Sequence, residues 1–194
     1  MKLLVTGAAG FIGSTYARIA TAAGHELTIL DKLTYAGRRE NLEGVEHRFV
    51  EGGIEDPAKV REAMEGADAV VNFAAESHVD RSIAGQDPFV TTHVIGTSVL
   101  LDAARELGIA RYLQVSTDEV YGSIESGSFT ETSPLNPSSP YSATKAAGVG
   151  ELVEHDHVVL VADQAHVGGT DETGGAGDEE LHDPSSLSAC RWAR

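Results

Sequence analysis

The chain has 194 residues, enough for one domain with a substantial core, and its composition is that of an ordinary globular protein. A net charge of −16 repels phosphate backbones and anionic headgroups, so neither nucleic acid nor a membrane is an expected partner. A single cysteine, Cys190, excludes an internal disulfide framework and a cysteine-rich metal site; no apolar run approaches the roughly 20 residues of a membrane span.

The opening Met1–Thr6 is too short an apolar stretch for a signal peptide and reads as a first strand, with the cytoplasm as the expected location. Further strands are predicted at Glu26–Asp31, His47–Glu51, Ala69–Phe73 and Tyr112–Ser116. Helices are predicted at Phe11–Ala23, Pro57–Glu65, Pro88–Leu107 and Tyr141–Gly148, with Pro57 and Pro88 suited to a first turn and Gly66 to a stop. The strands are near-continuous apolar runs, as a sheet buried on both faces requires. Alternation of strand and helix implies an α/β fold, a Rossmann-like doubly wound parallel sheet.

Residues 1–148 hold 20 acids and 12 bases, whereas residues 149–194 hold 10 acids and only 2 bases. The later segment also contains no Lys, Ile, Phe, Tyr or Asn. His157–Ala162 is a candidate for one more strand. Beyond it the chain has little apolar area to bury and is expected to be largely disordered. The expected division is a domain over 1–148 and a divergent acidic tail over 149–194. His155, His157, His166 and His182 fit no recognised ligand spacing, so no metal is expected.

The turn Gly7-Ala8-Ala9-Gly10-Phe11-Ile12-Gly13 joins the first strand to the first helix. Gly7 permits the turn, Gly10 lets a pyrophosphate approach the backbone, and Gly13 lets helix and sheet pack closely. The free N–H groups and dipole of the helix favour phosphates. Such a run also fits a structural turn, but Asp31 ends the second strand 18 residues after Gly13. A carboxylate there accepts from both ribose hydroxyls and repels a 2′-phosphate, which selects NAD over NADP.

Tyr141 and Lys145 are four residues apart and share a helix face. A phenol is a poor base near neutrality, and a nearby ammonium is expected to lower its pKa, suiting it to take an alcohol's proton. Thr117, Asp118 and Glu119 follow the fifth strand, at the sheet edge where ligands of open α/β folds gather. They offer a hydroxyl and two carboxyls for acid–base work. An ordinary amphipathic helix and a polar capping loop would carry the same residue types.

The glycine turn with Tyr141 and Lys145 resembles the signature of the extended short-chain dehydrogenase/reductase family. The stretches Asp31–Gly37, Phe73–Ile83 and Ser116–Gly122 resemble, within it, the nucleotide-sugar 4,6-dehydratases that act on dTDP-glucose. The resemblance runs from residue 1 to about 147. It implies a lyase with an internal redox cycle on bound NAD. Tyr141 takes the 4-hydroxyl proton with Lys145 and Thr117 in support. Glu119 removes the proton next to the new ketone, and Asp118 protonates the departing 6-hydroxyl. It further implies cofactor contacts at Gly7, Gly10, Phe11, Ile12, Gly13, Asp31, Lys32, Leu33, Thr34, Gly53, Ile54, Phe73, Ala74, Ala75, Glu76, Ser77, Thr92, Tyr141 and Lys145. Substrate contacts are implied at Ser77 and Thr117. The implied partners are a dTDP-sugar and a second copy, packed through Pro88–Leu107 and the helix from Tyr141.

Three positions depart from the family. Gly53 stands where the family carries an aspartate that holds adenine, which is expected to weaken NAD binding by about 1–3 kcal/mol. His93 stands in place of the usual Asn. After Lys145 the family's second, nucleotide-gripping domain is not recognisable, and the expectation is a shifted reading frame or misjoined fragment of a longer gene, which resequencing tests. A catalytically inactive NAD-binding module and a related nucleotide-sugar epimerase or decarboxylase are the alternative readings.

Overall fold

The computed structural model describes residues 1–77, 79–124, 126–130, 132–153 and 158–161. The strands are β1 (Lys2–Thr6), β2 (Glu26–Asp31), β3 (His47–Glu51), β4 (Ala69–Asn72), β5 (Tyr112–Val115) and β6 (Val158–Val161). They form one parallel sheet in the order β3-β2-β1-β4-β5-β6. The chain order reverses at β1, so the switch point of this sheet lies between β1 and β4, where open α/β folds bind ligands.

The helices are α1 (Phe11–Ala22), α2 (Pro57–Met64), α3 (Val79–Ala84), α4 (Asp87–Phe89), α5 (Gly96–Glu106) and α6 (Pro140–Val153). A π-helix, Val90–Ile95, joins α4 to α5, and single 3-10 turns cover Arg39–Leu42 and Asp118–Tyr121. Asp56 starts α2 by accepting from the Ala58 and Lys59 N–H groups at 2.9 and 3.2 Å, with Pro57 in the first turn.

Strand period two sorts the core into two layers. Leu3, Val5, Leu27 and Ile29 pack with Ala17 and Ala20 of α1 on one face. Leu4, Leu30, Val50 and Val70 pack with Val60 and Met64 of α2 and Leu100 of α5 on the other. All four residues of β4 are buried, which is why that strand reads as an unbroken apolar run ended by a polar residue.

Two differences from the sequence expectations stand out. Pro88–Leu107 is not one α-helix, because the π-helix interrupts it around His93. The helix expected to end at Gly148 runs to Val153, so the expected domain edge falls inside α6. The predicted strand near 157–162 is present as β6 and pairs with β5, at the edge of the sheet. Cys190, His155, His157, His166 and His182 and the tail expected to be disordered lie outside the described residues.

Candidate active site

Gly7 has φ +66°, and a Cβ there would sit 2.6 Å from the Ala74 nitrogen, so the turn after β1 tolerates no side chain. A Cβ on Gly13 would meet Gly7 O at 2.5 Å and Ala8 Cα at 2.8 Å, which lets α1 sit directly against the turn. Gly10 precedes α1 in an extended conformation, and no side chain caps the helix. With no acid in its first turn, the positive end of α1 is left open to an anion. Phe11 and Ile12 are largely exposed beside it.

Asp31 ends β2 and is buried. Its Oδ2 accepts from the Ala9 N–H and its Oδ1 from the Leu33 N–H, both at 2.9 Å. The carboxylate therefore braces the glycine turn as well as facing the sheet edge. Leu33 has φ +52°, the one positive φ outside glycine among the described residues. It sits between Lys32 and the exposed Thr34, whose carbonyl accepts the Gly37 N–H at 3.1 Å.

Lys32 reaches across to the next strand ends. Its Nζ donates to Thr92 Oγ1 at 3.2 Å and lies 3.6 Å from Glu55 and 3.7 Å from Glu76. Ile54 is buried against Gly96 at the start of α5, where a Cβ would meet Ile54 Cγ1 at 2.5 Å. Phe73 and Ala74 are tied to β1 by N–H bonds to Thr6 O at 3.1 Å and Thr6 Oγ1 at 3.3 Å. Ala75 and Ser77 are exposed, and the Tyr35 hydroxyl donates to Ser77 O at 3.2 Å.

Thr117 caps the 3-10 turn, its Oγ1 accepting the Glu119 N–H and donating to Asp118 Oδ1, each at 3.3 Å. Burial and the neighbouring Asp118 push the Glu119 carboxyl up. Tyr141 lies near both acids, and here the expectation about the phenol is corrected. Its pKa is raised above the usual 10.0, by burial first, then by the charges of Glu119 and Asp118. Lys145 does not offset them: it is buried, its Nζ donates to the Val115 carbonyl at 3.2 Å, and burial pushes its pKa down to about 8. Glu119, Asp118 and Tyr141 thus form one electrostatic unit at the carboxyl edge of β5 and the start of α6.

Several polar groups escaped the sequence expectations. Thr6 Oγ1 bonds Asn72 Oδ1, Asn72 Nδ2 donates to Gln114 Oε1 at 2.8 Å, and the Tyr112 hydroxyl donates to the same oxygen at 3.1 Å. This buried rung crosses β1, β4 and β5 beneath the site. Ser82 accepts the Tyr141 N–H at 3.2 Å. Ser116 Oγ, at the end of β5, is buried without a hydrogen-bond partner.

His93 is the least expected. It is 3% exposed, and burial and the Lys145 charge push its pKa down to about 3. Its Nε2 accepts the Glu76 N–H at 3.0 Å, which leaves the ring proton on Nδ1, 2.9 Å from Thr144 Oγ1. Thr144 Oγ1 in turn donates to the Tyr141 carbonyl at 2.8 Å. The His93 ring lies edge-on to Tyr141 and Phe89, with centroids 5.7 and 5.8 Å away. A neutral imidazole therefore links the segment after β4 to the helix that carries Tyr141 and Lys145.

Two hollows on the described surface, one lined by Pro57, Arg61 and Glu106 and another by Lys2, His25 and Glu46, lie away from this edge. Among the described residues no group of three or more His, Cys, Asp or Glu is placed to hold a metal.

The sheet has a Rossmann-like open edge with a glycine cradle and a Tyr–Lys helix, and the sequence pattern of the GDP-mannose 4,6 dehydratase family matches residues 4–157. The chain belongs to that family. It is 57% identical over 151 residues to the low-salt glycan biosynthesis protein Agl12 of Haloferax volcanii, covering 75% of this chain and 49% of that one. It is 56% identical over 154 residues to dTDP-glucose 4,6-dehydratase of Streptomyces griseus, covering 75% of this chain and 47% of the relative. Its fold superposes on the crystal structure of the dTDP-glucose 4,6-dehydratase DesIV from Streptomyces venezuelae, which has NAD bound, with TM-score 0.78 and 48% identity over 84% of this chain and 55% of that one. It also superposes on a Thermus thermophilus UDP-glucose 4-epimerase in complex with NAD, with TM-score 0.76 and 32% identity over 84% of this chain and 54% of the epimerase. The chain spans about half the length of the curated relatives it matches.

Proposed function

We propose that this chain carries the cofactor and proton-transfer machinery of an NAD-dependent dTDP-glucose 4,6-dehydratase. The observation that carries the reading is the meeting of Tyr141 with a carboxyl pair, Asp118 and Glu119, at the same sheet edge as the glycine cradle. An epimerase moves one hydride and one proton and needs no second carboxyl; a dehydratase needs an acid and a base for the elimination.

The cradle fits a dinucleotide, since Gly7 and Gly13 let strand, turn and helix pack without side chains and the α1 terminus is uncapped. In this reading Gly7, Gly10, Phe11, Ile12 and Gly13 surround the pyrophosphate. Asp31 to Thr34 hold the adenosine side, and Phe73 to Ser77 with Thr92 line the path toward the nicotinamide. NAD, when bound, would supply the reversible two-electron oxidation that the sugar needs at C4 and the matching reduction at C6. Tyr141 takes the proton from the 4-hydroxyl as the C4 carbonyl forms. Glu119 then takes the proton from C5, made acidic by that ketone; burial and the neighbouring Asp118 raise its proton affinity. Asp118 gives a proton to the 6-hydroxyl, which leaves as water as the C5–C6 double bond forms; Glu119 returns its proton to C5 when C6 is reduced. The charge of Glu119 favours the protonated phenol of Tyr141, and by the same coupling a proton on either group lowers the proton affinity of the other. Ser77 and Thr117 are assigned to the sugar hydroxyls.

The test is to incubate the purified chain with NAD and dTDP-glucose and follow the 4-keto-6-deoxy product by mass spectrometry. Tyr141→Phe is expected to lower turnover by about 10²–10⁴-fold while NAD still binds. NAD binding with no product from the unmodified chain selects the non-catalytic module.

The same reading places the enzyme in the cytoplasm and joins two copies through the helical run Asp87–Glu106, on which Val90 and Ile95 are exposed. Sedimentation is expected to give a dimer for the unmodified chain and a monomer for Ile95→Glu; equal masses for both would refute that interface.

A further inference from the structure

The carboxyl edge continues past Asp31 onto the Gly52–Asp56 loop that follows β3. Two independent features meet there. A Cβ built on Gly53 would collide with the Glu55 carboxylate, so that carboxylate lies where a side chain at position 53 would begin. The Glu55 side chain is folded back over its own loop. Its Oε1 faces Lys32 Nζ at 3.6 Å, and its Oε2 is buried with no hydrogen-bond partner. Leaving a buried carboxylate oxygen without a donor is costly, and such an atom calls for a partner from elsewhere.

The topology states what arrives there. A dinucleotide with its pyrophosphate at the Gly7–Gly13 turn and its adenosine ribose at Asp31 lies along the carboxyl edge in one direction. Tyr141, Asp118 and Glu119 lie beyond β4, so the nicotinamide half points that way. The adenine is left over the ends of β2 and β3, beside Glu55. The base offers an exocyclic amino group, a pure donor, and a carboxylate is a pure acceptor.

We propose that Glu55 is the adenine-recognising residue of this chain: its side chain, about a third exposed, turns the unpartnered oxygen outward to accept a hydrogen bond from the exocyclic amino group, and Gly53 is the gap that gives it room. Lys32, itself bonded to Thr92 Oγ1 at 3.2 Å, steadies Oε1 and leaves Oε2 for the base. The proposal rests on the NAD reading above and deepens it. The gap at Gly53 then does not weaken the cofactor site; it relocates the acceptor by two residues.

The test is isothermal titration of the full chain with NAD and with nicotinamide hypoxanthine dinucleotide, in which a carbonyl oxygen replaces the amino group. The unmodified chain is expected to prefer NAD by about tenfold or more, the worth of one charge-assisted hydrogen bond. Glu55→Ala is expected to erase that preference while both dinucleotides still bind. Gly53→Asp/Glu55→Ala is expected to restore it, because the new carboxylate starts from the vacated position. An undiminished preference in Glu55→Ala overturns the proposal and leaves the NAD reading standing. Loss of both dinucleotides in Glu55→Ala also overturns it, since Glu55 would then hold the loop and not read the base. Failure of the unmodified chain to bind NAD overturns the NAD reading and this proposal together.

Discussion

A single buried imidazole shows how a side chain acts through its protonation state. His93 can accept from the Glu76 N–H only while Nε2 is bare, so protonation would break the link to the segment after β4. The unfolded chain takes up that proton below pH 6.5, and the folded chain refuses it until about pH 3. Because the folded pKa is depressed, the stabilisation is complete above pH 6.5 and is lost as the pH falls through that window, at about 1.4 kcal/mol per pH unit. Urea unfolding at pH 7 and pH 5 checks this. His93→Asn keeps a polar group without the titration, and it is expected to lose roughly 2 kcal/mol less than the unmodified chain over that interval. Equal losses would show that His93 is not held neutral.

At the scale of elements, the π-helix sets how closely α6 approaches the rest of the domain. A Cβ on Gly148 would lie 2.9 Å from the His93 carbonyl oxygen, a backbone atom of the π-helix. Gly148→Ala is expected to push α6 outward and to lower stability by about 1–3 kcal/mol, the cost of overpacking. Thermal unfolding measures the loss, and an unchanged midpoint would mean that the two helices yield without strain. Apolar periodicity could not foretell this joint. Pro88–Leu107 carries a continuous helical pattern, and one extra residue per turn around Thr92 and His93 leaves that pattern almost intact. The strands were legible for the opposite reason. β1 and β4 are short apolar runs ended by Thr6 and Asn72, and a sheet covered on both faces requires such runs. The glycine cradle and the Tyr141–Lys145 spacing were likewise plain, because local geometry demands those residues at those intervals. The Glu55 carboxylate, the His93–Thr144 link and the orphaned Ser116 hydroxyl depend on segments far apart in the chain, and no local spacing encodes them. The direction of the Tyr141 shift has the same origin: burial and the charges on the loop after β5 set it, and the spacing to the lysine four residues along its own helix does not encode them.

For the molecule as a whole, charge and topology set the terms. A net charge of −16 on 194 residues opposes compaction, and the ion pairs that relieve it, such as Arg39–Glu51 and Arg61–Glu106, are half-exposed and each worth little. Raising salt from about 0.1 to 1 M shortens the screening length from about 10 to 3 Å. The unfolding midpoint is therefore expected to rise with sodium chloride; a fall would mean that the ion pairs outweigh the repulsion. The rung formed by Thr6, Asn72, Gln114 and Tyr112 has a different bearing on the whole. Valine and leucine runs interlock almost equally well if one strand slides past its neighbour. The rung does not, because a slip of two residues would keep the apolar faces matched yet strand an asparagine and a glutamine amide in a dry interior, at about 1–3 kcal/mol for each group left unsatisfied. It works as a key cut across three strands: it admits one alignment of β1, β4 and β5, and with it the single placement of strand ends that puts cradle and carboxyl pair on the same shelf.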